Sequence, residues 1–172
     1  LFRSGPLQDQ GIKLTATLGA KVGGGEYSFP EMGVSFVPRG FEDSNVRSIM
    51  NASSTGRIKL TFDYNIRLLS LDWSGLGPLA YVKSLSMTPF ADLTSLKFAT
   101  KDAFLVNPGT ARTGNLTSVG VDLVVTLGNF LWLPYDSRIG IRYARNSWNN
   151  LEHLNAKGLT KDHFGSIFSV SL

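Results

Sequence analysis

A segment in the middle of the chain alternates strictly between polar and apolar side chains, and this period of two constrains the fold more than any other feature. In Arg57–Leu68 every odd position is charged or polar and every even position is apolar. Successive side chains of a β-strand point to opposite faces, whereas a helix would spread the same residues around its circumference. The segment is therefore predicted to be a strand with one polar and one apolar face.

The same alternation recurs along the chain and predicts about seven strands in all. Several of them are longer than the roughly 5–6 residues usual in globular sheets. They approach the roughly 9–11 tilted residues with which a strand crosses a bilayer. We therefore predict an all-β fold, an antiparallel transmembrane β-barrel of which residues 1–172 form the C-terminal part. The predicted strands are Gly11–Val22, Gly33–Val37, Arg57–Leu68, Val82–Leu96, Thr117–Leu127, Arg138–Asn146 and Phe164–Leu172.

Alternation alone does not say which face is turned inward, because a soluble β-sandwich binding module has the same pattern with its apolar face inside. The connections favour the barrel. Those at Pro38–Ser54, Lys97–Asn115 and Asn149–Asp162 are long, and those at Leu69–Pro78 and Gly128–Tyr135 are shorter. Long loops on one rim and shorter turns on the other are typical of outer-membrane barrels.

Composition excludes several classes of function. The chain has no cysteine, so disulfides, zinc thiolate sites and thiol catalysis are ruled out. The net charge of +4 comes from scattered lysines and arginines, so we expect no nucleic-acid partner. No basic segment followed by an apolar one opens the chain, as a secretory leader would. For an exported protein, this predicts a mature chain or a fragment.

No arrangement of residues predicts catalysis or metal binding. His153 and His163 are the two histidines, both expected in a polar loop or at its edge, and nothing indicates a Ser-His-Asp or metal site. We predict no enzyme activity, no metal and no cofactor. A small outer-membrane barrel enzyme, such as a protease or phospholipase, is an alternative that lacks a recognisable catalytic set. Basic residues on the polar faces would bias a lumen positive: Arg57, Lys59, Arg67, Arg138 and Arg142.

Two short motifs lie in order along the chain. Pro38-Arg39-Gly40-Phe41 opens a long loop of about residues 38–56, and Phe90-Ala91-Asp92-Leu93-Thr94 lies in the strand after the next. Together with the strands that follow, they resemble the last part of the outer-membrane assembly and translocation superfamily. That superfamily includes the barrel-assembly insertase, its translocation-module relatives and two-partner secretion transporters. The resemblance covers roughly residues 34–172.

The resemblance implies that the loop folds back into the barrel lumen. Arg39, followed by Gly40 and Phe41, would then meet Asp92 on the inner wall, with Phe90 beside it. Independently of the resemblance, alternation places Asp92 on the polar face of its strand. Two positions depart from the family pattern. A proline, residue 38, stands where an aliphatic residue is usual, and a threonine, residue 94, stands where glycine is usual.

The last predicted strand carries alternate apolar residues, Phe168, Val170 and Leu172, which look like the assembly signal of outer-membrane barrels, although phenylalanine is more typical at the last position. A similar barrel anchors some Bacteroidetes proteins that begin with TolB-like propellers.

Seven strands are an odd number, whereas bacterial single-chain barrels have even ones. We therefore expect further strands to close the barrel.

These features together predict a scaffold or channel in the bacterial outer membrane. It would serve outer-membrane protein assembly, translocation or the anchoring of a surface complex. Its expected partners are the lipid bilayer, the remaining strands of the barrel, and periplasmic or lipoprotein subunits.

Overall fold

The computed structural model describes residues 10–20, 36–41, 54–74, 81–98, 113–129, 135–149 and 161–171. Within these ranges the protein is all-β, with six antiparallel strands in one open sheet whose spatial order follows the chain. The outer strands of the sheet are the first and the last. The strands are β1 (Gly11–Ala20), β2 (Ser54–Trp73), β3 (Tyr81–Phe98), β4 (Thr113–Gly128), β5 (Asp136–Asn149) and β6 (Asp162–Ser171). No helix in the described ranges has the length and hydrophobicity needed to cross a membrane.

The prediction of about seven strands is wrong for the described residues, which form six. In the predicted strand Gly33–Val37, residues 33–35 lie outside the described ranges, and Phe36 and Val37 belong to no strand. Their carbonyl groups accept hydrogen bonds from side chains of the sheet, those of Thr94 and Lys59 respectively. Because side chains donate hydrogen bonds to these two carbonyls, the carbonyls do not need a neighbouring strand as partner.

The predicted loop of about residues 38–56 ends earlier than expected, because β2 begins at Ser54. The strands themselves extend beyond the clearest alternation. Strand β2 has 20 residues and β3 has 18, well above the roughly 5–6 of a typical strand. Two register shifts toward the end of β2, between Arg67 and Leu69 and between Ser70 and Trp73, mark where the simple period of two is interrupted.

The sheet has a polar face, which the segment 36–41 covers, and an apolar face that is exposed. Ile141 on β5 is 64% exposed and Phe168 on β6 is 65% exposed. The buried residues include polar ones such as Asp92, Ser118 and Asn146. This is the reverse of a soluble sheet, which buries its apolar face. Further exposed apolar side chains are Ile12, Leu14, Leu18, Ile58, Leu60, Phe62, Leu93, Val119, Leu123, Ile139, Phe164 and Val170.

The sheet is strongly curved around its polar face. Six flat strands about 4.8 Å apart would separate the outer strands by about 24 Å. Yet Lys13 on β1 and Ser169 on β6 line the same cavity, which has a volume of about 380 Å³. Strands β2 to β5 also contribute to this cavity, so the polar face forms a trough.

The connections differ between the two ends of the sheet. Residues 21–53, 99–112 and 150–161 join strands at one end, and the shorter segments 74–80 and 129–135 join them at the other. The connection lengths that follow from the strand bounds therefore alternate between long and short, as predicted. Below, these ends are called the long-loop end and the short-turn end.

Candidate functional site: an arginine loop on the polar face

The segment of residues 36–41, here called the Arg39 loop, ends in a tight turn. The backbone N–H of Phe41 donates a 3.0 Å hydrogen bond to the carbonyl of Pro38. Gly40, the third residue of this turn, has a φ of 119°, a conformation that glycine adopts readily and other residues rarely. Glycine at the third position therefore fits the turn, and Arg39 lies at its tip.

Arg39 and Asp92 are joined by three hydrogen bonds. The backbone N–H of Arg39 donates to Asp92 Oδ2 at 2.8 Å, and its Nε donates to the same oxygen at 3.0 Å. Its Nη2 donates to Asp92 Oδ1 at 2.8 Å. Asp92 is 0% exposed, so its carboxylate depends on these donors for the solvation that water would otherwise supply. The guanidinium binds it in the two-pronged geometry that arginine and carboxylate favour.

Two more carboxylates lie around the same guanidinium. Arg39 Nη2 also donates to Asp63 on β2, and Arg39 Nη1 is 3.9 Å from Asp122 Oδ2 on β4. Asp122 is held by Arg142 on β5, whose Nε and Nη2 donate to its two oxygens at 2.7 and 3.0 Å. Two arginines thus face three aspartates, and strands β2 to β5 are linked through charge.

The Arg39 side chain stays ionised in this setting. Burial tends to lower the pKa of its guanidinium, but the hydrogen bonds and negative charge of Asp92 and Asp63 outweigh burial and raise the pKa above the usual arginine value. The loop arginine therefore acts as a permanent cation.

Phe90 forms the floor beneath the two arginines. The Cζ of Arg39 lies 3.9 Å from the centre of the Phe90 ring, and that of Arg142 lies 5.6 Å from it. Both distances fall within the range of cation–π attraction. Gly120, opposite Phe90 in β4, leaves room for the ring, because a Cβ there would lie 2.8 Å from Phe90 Cζ and 2.1 Å from the Tyr143 carbonyl.

The backbone of the Arg39 loop is held by polar side chains from four strands. Each of four loop carbonyls accepts a hydrogen bond from a different strand of the sheet. The donors are Lys59 to Val37 (2.8 Å), Thr94 to Phe36 (2.8 Å), Ser118 to Arg39 (3.3 Å) and Asn146 to Gly40 (2.7 Å). The loop is thereby fixed by its main chain as well as by its charge.

The aromatic residues at the two ends of the loop anchor it further. Phe41 is 1% exposed and meets Trp148 of β5 edge to face, with ring centres 6.1 Å apart and planes at 74°. The Phe36 ring lies 5.7 Å from Arg57 Cζ and fills the space where a Cβ of Gly19 would be.

The structure brings together all five residues that the resemblance assigned to the loop contact: Arg39, Gly40, Phe41, Phe90 and Asp92. The other predicted site residues lie elsewhere. Phe168 and Val170 are on β6 with exposed side chains, and Leu172 lies outside the described residues. His163 lies within β6, and His153 is also outside the described residues.

One of the two departures from the family pattern has a clear role. Thr94, which stands where the family has glycine, supplies the hydroxyl that holds the Phe36 carbonyl. Sequence reasoning missed this contact. It also missed the partners of Asp63, Asp122 and Asn146. Alternation places these side chains on the polar face, but no pattern within one strand reveals which residue of another strand they bind.

Comparisons with protein-family models, with curated proteins and with solved structures found no match. The chemistry of the site is therefore argued from its geometry. Its polar groups are engaged with one another in a network that fixes a loop in place, as a structural clamp does.

Proposed function

We propose that this chain forms part of the wall of a transmembrane β-barrel in a bacterial outer membrane. The apolar face of the sheet would contact lipid, and the polar face would line the lumen, with the Arg39 loop lying inside. Such a barrel would act as a membrane-embedded scaffold or channel in outer-membrane protein assembly, translocation or the anchoring of a surface complex.

The observation that carries this proposal is the orientation of the two faces. The Arg39 loop and its buried carboxylate at Asp92 occupy the polar face, while apolar side chains such as Ile141 and Phe168 are exposed on the other. Water would penalise an exposed apolar face of this size, whereas lipid would solvate it. A soluble sandwich would have its charged residues outside and its apolar face covered, so this arrangement argues against that alternative.

Strand length and connectivity support the same proposal. Strands β2 to β5 each exceed the roughly 9–11 residues needed to cross a bilayer, so they would extend beyond the hydrocarbon layer. Long connections at one end and short ones at the other match outer-membrane barrels. The curvature of the sheet, which brings β1 and β6 to one cavity, is in the direction that closure requires.

The role in assembly or translocation rests on the resemblance and on the contact that fits it. An arginine at a loop tip paired with an aspartate on the wall is what the superfamily's motifs imply. Here the Arg39 guanidinium and the Asp92 carboxylate meet in that way. The site contributes positioning and charge, which suits a scaffold better than a catalyst.

Nitroxide labels on neighbouring residues of opposite faces would test membrane insertion. We expect labels at Ile139 and Phe168 to be accessible to oxygen and shielded from a water-soluble nickel complex in lipid vesicles. Labels at the matched positions Arg138 and Ser169, one residue away on the same strands, should show the reverse. Labels at Ile139 and Phe168 that are shielded from both reagents would indicate a dry protein core and contradict the proposal.

A second experiment addresses the function. Vesicles containing the protein should speed the insertion of a urea-unfolded eight-stranded outer-membrane barrel, relative to empty vesicles of the same lipids. The Arg39→Ala variant, matched to Arg145→Ala on the other face of β5, would show whether the loop matters. Equal insertion rates with and without the protein would argue against an assembly role.

A further inference from the structure

A second cavity, of about 490 Å³, lies at the long-loop end of β4 and β5 and shares no described lining residue with the cavity of the trough. Four of its lining residues occupy the apolar face by alternation: Thr117 and Val119 on β4, and Arg145 and Ser147 on β5. The cavity therefore opens on the side of the sheet away from the Arg39 loop. The other described lining residues are Asn146, Trp148 and Lys161.

The apolar face turns polar at this cavity. Along β5 the side chains of this face include Ile141 and Tyr143, which are followed by Arg145 and Ser147. On β4 a run of apolar side chains likewise ends at Thr117. Where the outward face of a membrane-spanning strand changes from apolar to polar, the strand leaves the hydrocarbon and enters the headgroup layer. In the proposed barrel, the cavity would thus lie at the level of the headgroups.

Two exposed basic residues, Arg145 and Lys161, line the cavity. The backbone N–H of Asn146 donates a 2.6 Å hydrogen bond to the carbonyl of Lys161. This bond holds Lys161 beside the residue that follows Arg145, so the fold brings together two basic residues from separate segments. Thr117 and Ser147, which pair across β4 and β5, add hydroxyl groups.

An acidic residue also lies beside Arg145. Asp162 pairs with it across β5 and β6, and the Asp162 carboxylate accepts a 2.9 Å hydrogen bond from the Tyr143 hydroxyl. A guanidinium has several N–H donors, as does an ammonium group. Arg145 can therefore contact a carboxylate and still offer donors to a ligand. Guanidinium, ammonium and hydroxyl groups are the donors with which proteins bind phosphate oxygens.

We infer that this cavity binds the anionic phosphate headgroup of a membrane lipid. Arg145 and Lys161 supply the cationic contacts, and Thr117 and Ser147 supply hydroxyl donors. The acyl chains of the same lipid would lie along the apolar face, where Phe164 of the neighbouring strand is 79% exposed. A lipid uses both the basic residues and the apolar surface beside them, whereas a free phosphate would use the basic residues alone. The inference rests on the proposed function, because only a sheet in a bilayer presents the cavity to headgroups.

Native mass spectrometry of the full chain in a neutral detergent tests the inference. It compares phosphatidic acid, which is anionic, with zwitterionic phosphatidylcholine of the same acyl chains. The parent protein should bind phosphatidic acid at least about tenfold more tightly, because its phosphate contacts are charge-assisted. The double variant Arg145→Gln/Lys161→Gln should lose this preference. The matched control Lys13→Gln/Arg138→Gln removes the same two types of charge from the polar face and should keep it.

Equal binding of the two lipids by the parent protein would overturn the inference. So would an unchanged preference in the double variant, or an equal loss in the control. Glycerol 3-phosphate, which carries the phosphate without acyl chains, should not compete with phosphatidic acid at equal concentration. Effective competition would show that the cavity takes a free phosphate and not a lipid. All four substituted side chains are exposed, so each variant should retain the sheet, which circular dichroism checks.

The spin-label experiment separates this inference from the proposed function. Lipid contact of the labels at Ile139 and Phe168, together with equal binding of both lipids, would reject only the headgroup site. Labels without lipid contact would reject the proposed function, whatever the lipid preference. In vesicles of phosphatidylcholine alone the cavity has no anionic headgroup to bind, so Arg145→Ala remains a suitable control for the Arg39 loop in the insertion experiment.

Discussion

The side-chain amide of Asn146 donates a 2.7 Å hydrogen bond to the carbonyl of Gly40, a residue 106 positions earlier in the chain. Asn146 is buried on β5, and Gly40 is the turn residue of the Arg39 loop. The bond therefore ties the loop to a strand distant in sequence, on the side of the trough away from Asp63.

Replacement of Asn146 by alanine should loosen the loop. The Gly40 carbonyl would be left buried without a donor, which costs about 1–3 kcal/mol. We expect the free energy of unfolding in detergent, from urea titration, to fall by that amount. Trypsin should also cut more readily after Arg39. The control is Asn149→Ala, an exposed residue near the end of the same strand. Equal effects of the two variants would contradict a specific role for Asn146.

Gly40→Ala should expel the loop from the trough. The new Cβ would lie 2.3 Å from Asn146 Oδ1 and 2.8 Å from Ser118 Oγ, and the φ of 119° is unfavourable for alanine. Strain and overlap together should cost more than about 2 kcal/mol. The readout is the rate of trypsin cleavage between Arg39 and Gly40, which docking should suppress in the parent protein. Gly11→Ala is the matched control, since a Cβ there meets nothing within 4 Å, and it should leave the cleavage rate unchanged.

Arg39→Ala and Asp92→Ala should destabilise the protein non-additively. Loss of either partner leaves a buried charge without its main counter-charge, which costs about 3–5 kcal/mol. In a double-mutant cycle the coupling energy should be about 1–3 kcal/mol. Urea titration of the four proteins gives this value, and additive effects would refute the pairing.

The exposed pair Lys83 and Asp136 provides the comparison for that cycle. Its side chains are 34% and 42% exposed, and an exposed ion pair contributes little to stability because water screens its charges. A coupling energy as large as that of Arg39 and Asp92 would show that burial is not what gives the loop contact its strength.

Phe90→Leu should weaken the binding of the Arg39 loop while keeping an apolar side chain beneath the two arginines. The ring faces of Phe90 attract the guanidinium groups of Arg39 and Arg142, and leucine has no such ring. We expect a loss of about 1–2 kcal/mol from the missing cation–π contact and the imperfect packing. The matched control is Phe62→Leu on the apolar face, which should change stability by less than about 0.5 kcal/mol. Urea titration of both variants decides between a specific and a general effect.

Much of the fold could be predicted from the sequence because the signal is local. In Arg57–Leu68 the polar or apolar character of each residue indicates the face of the sheet on which its side chain lies, and the same holds for most of β3 to β5. The missed features depend on interactions between segments. Phe36 and Val37 have the composition of a strand, but their carbonyls bind Thr94 and Lys59, and no local pattern shows that. Strand β2 extends past the predicted end at Leu68 because irregular pairing as far as Trp73 continues the strand where alternation ends.

The site was predictable only in part, for a related reason. A short motif pointed to Arg39 and Asp92. The roles of Asp122, Arg142 and Asn146 depend on which residues the register places side by side. Asp122 faces Arg142 because β4 and β5 pair at those two positions, and that register follows from the whole sheet. Gly120 likewise matters because the register places it beside Phe90 on β3.

The four carbonyl contacts of the Arg39 loop have a consequence for how the sheet forms. A strand that slips by one residue turns every side chain to the opposite face. Lys59, Thr94, Ser118 and Asn146 can reach the loop together only when β2, β3, β4 and β5 all pair in their native alignment. Docking of six loop residues therefore acts as a check on strand alignment, favouring the correctly paired sheet over its slipped competitors.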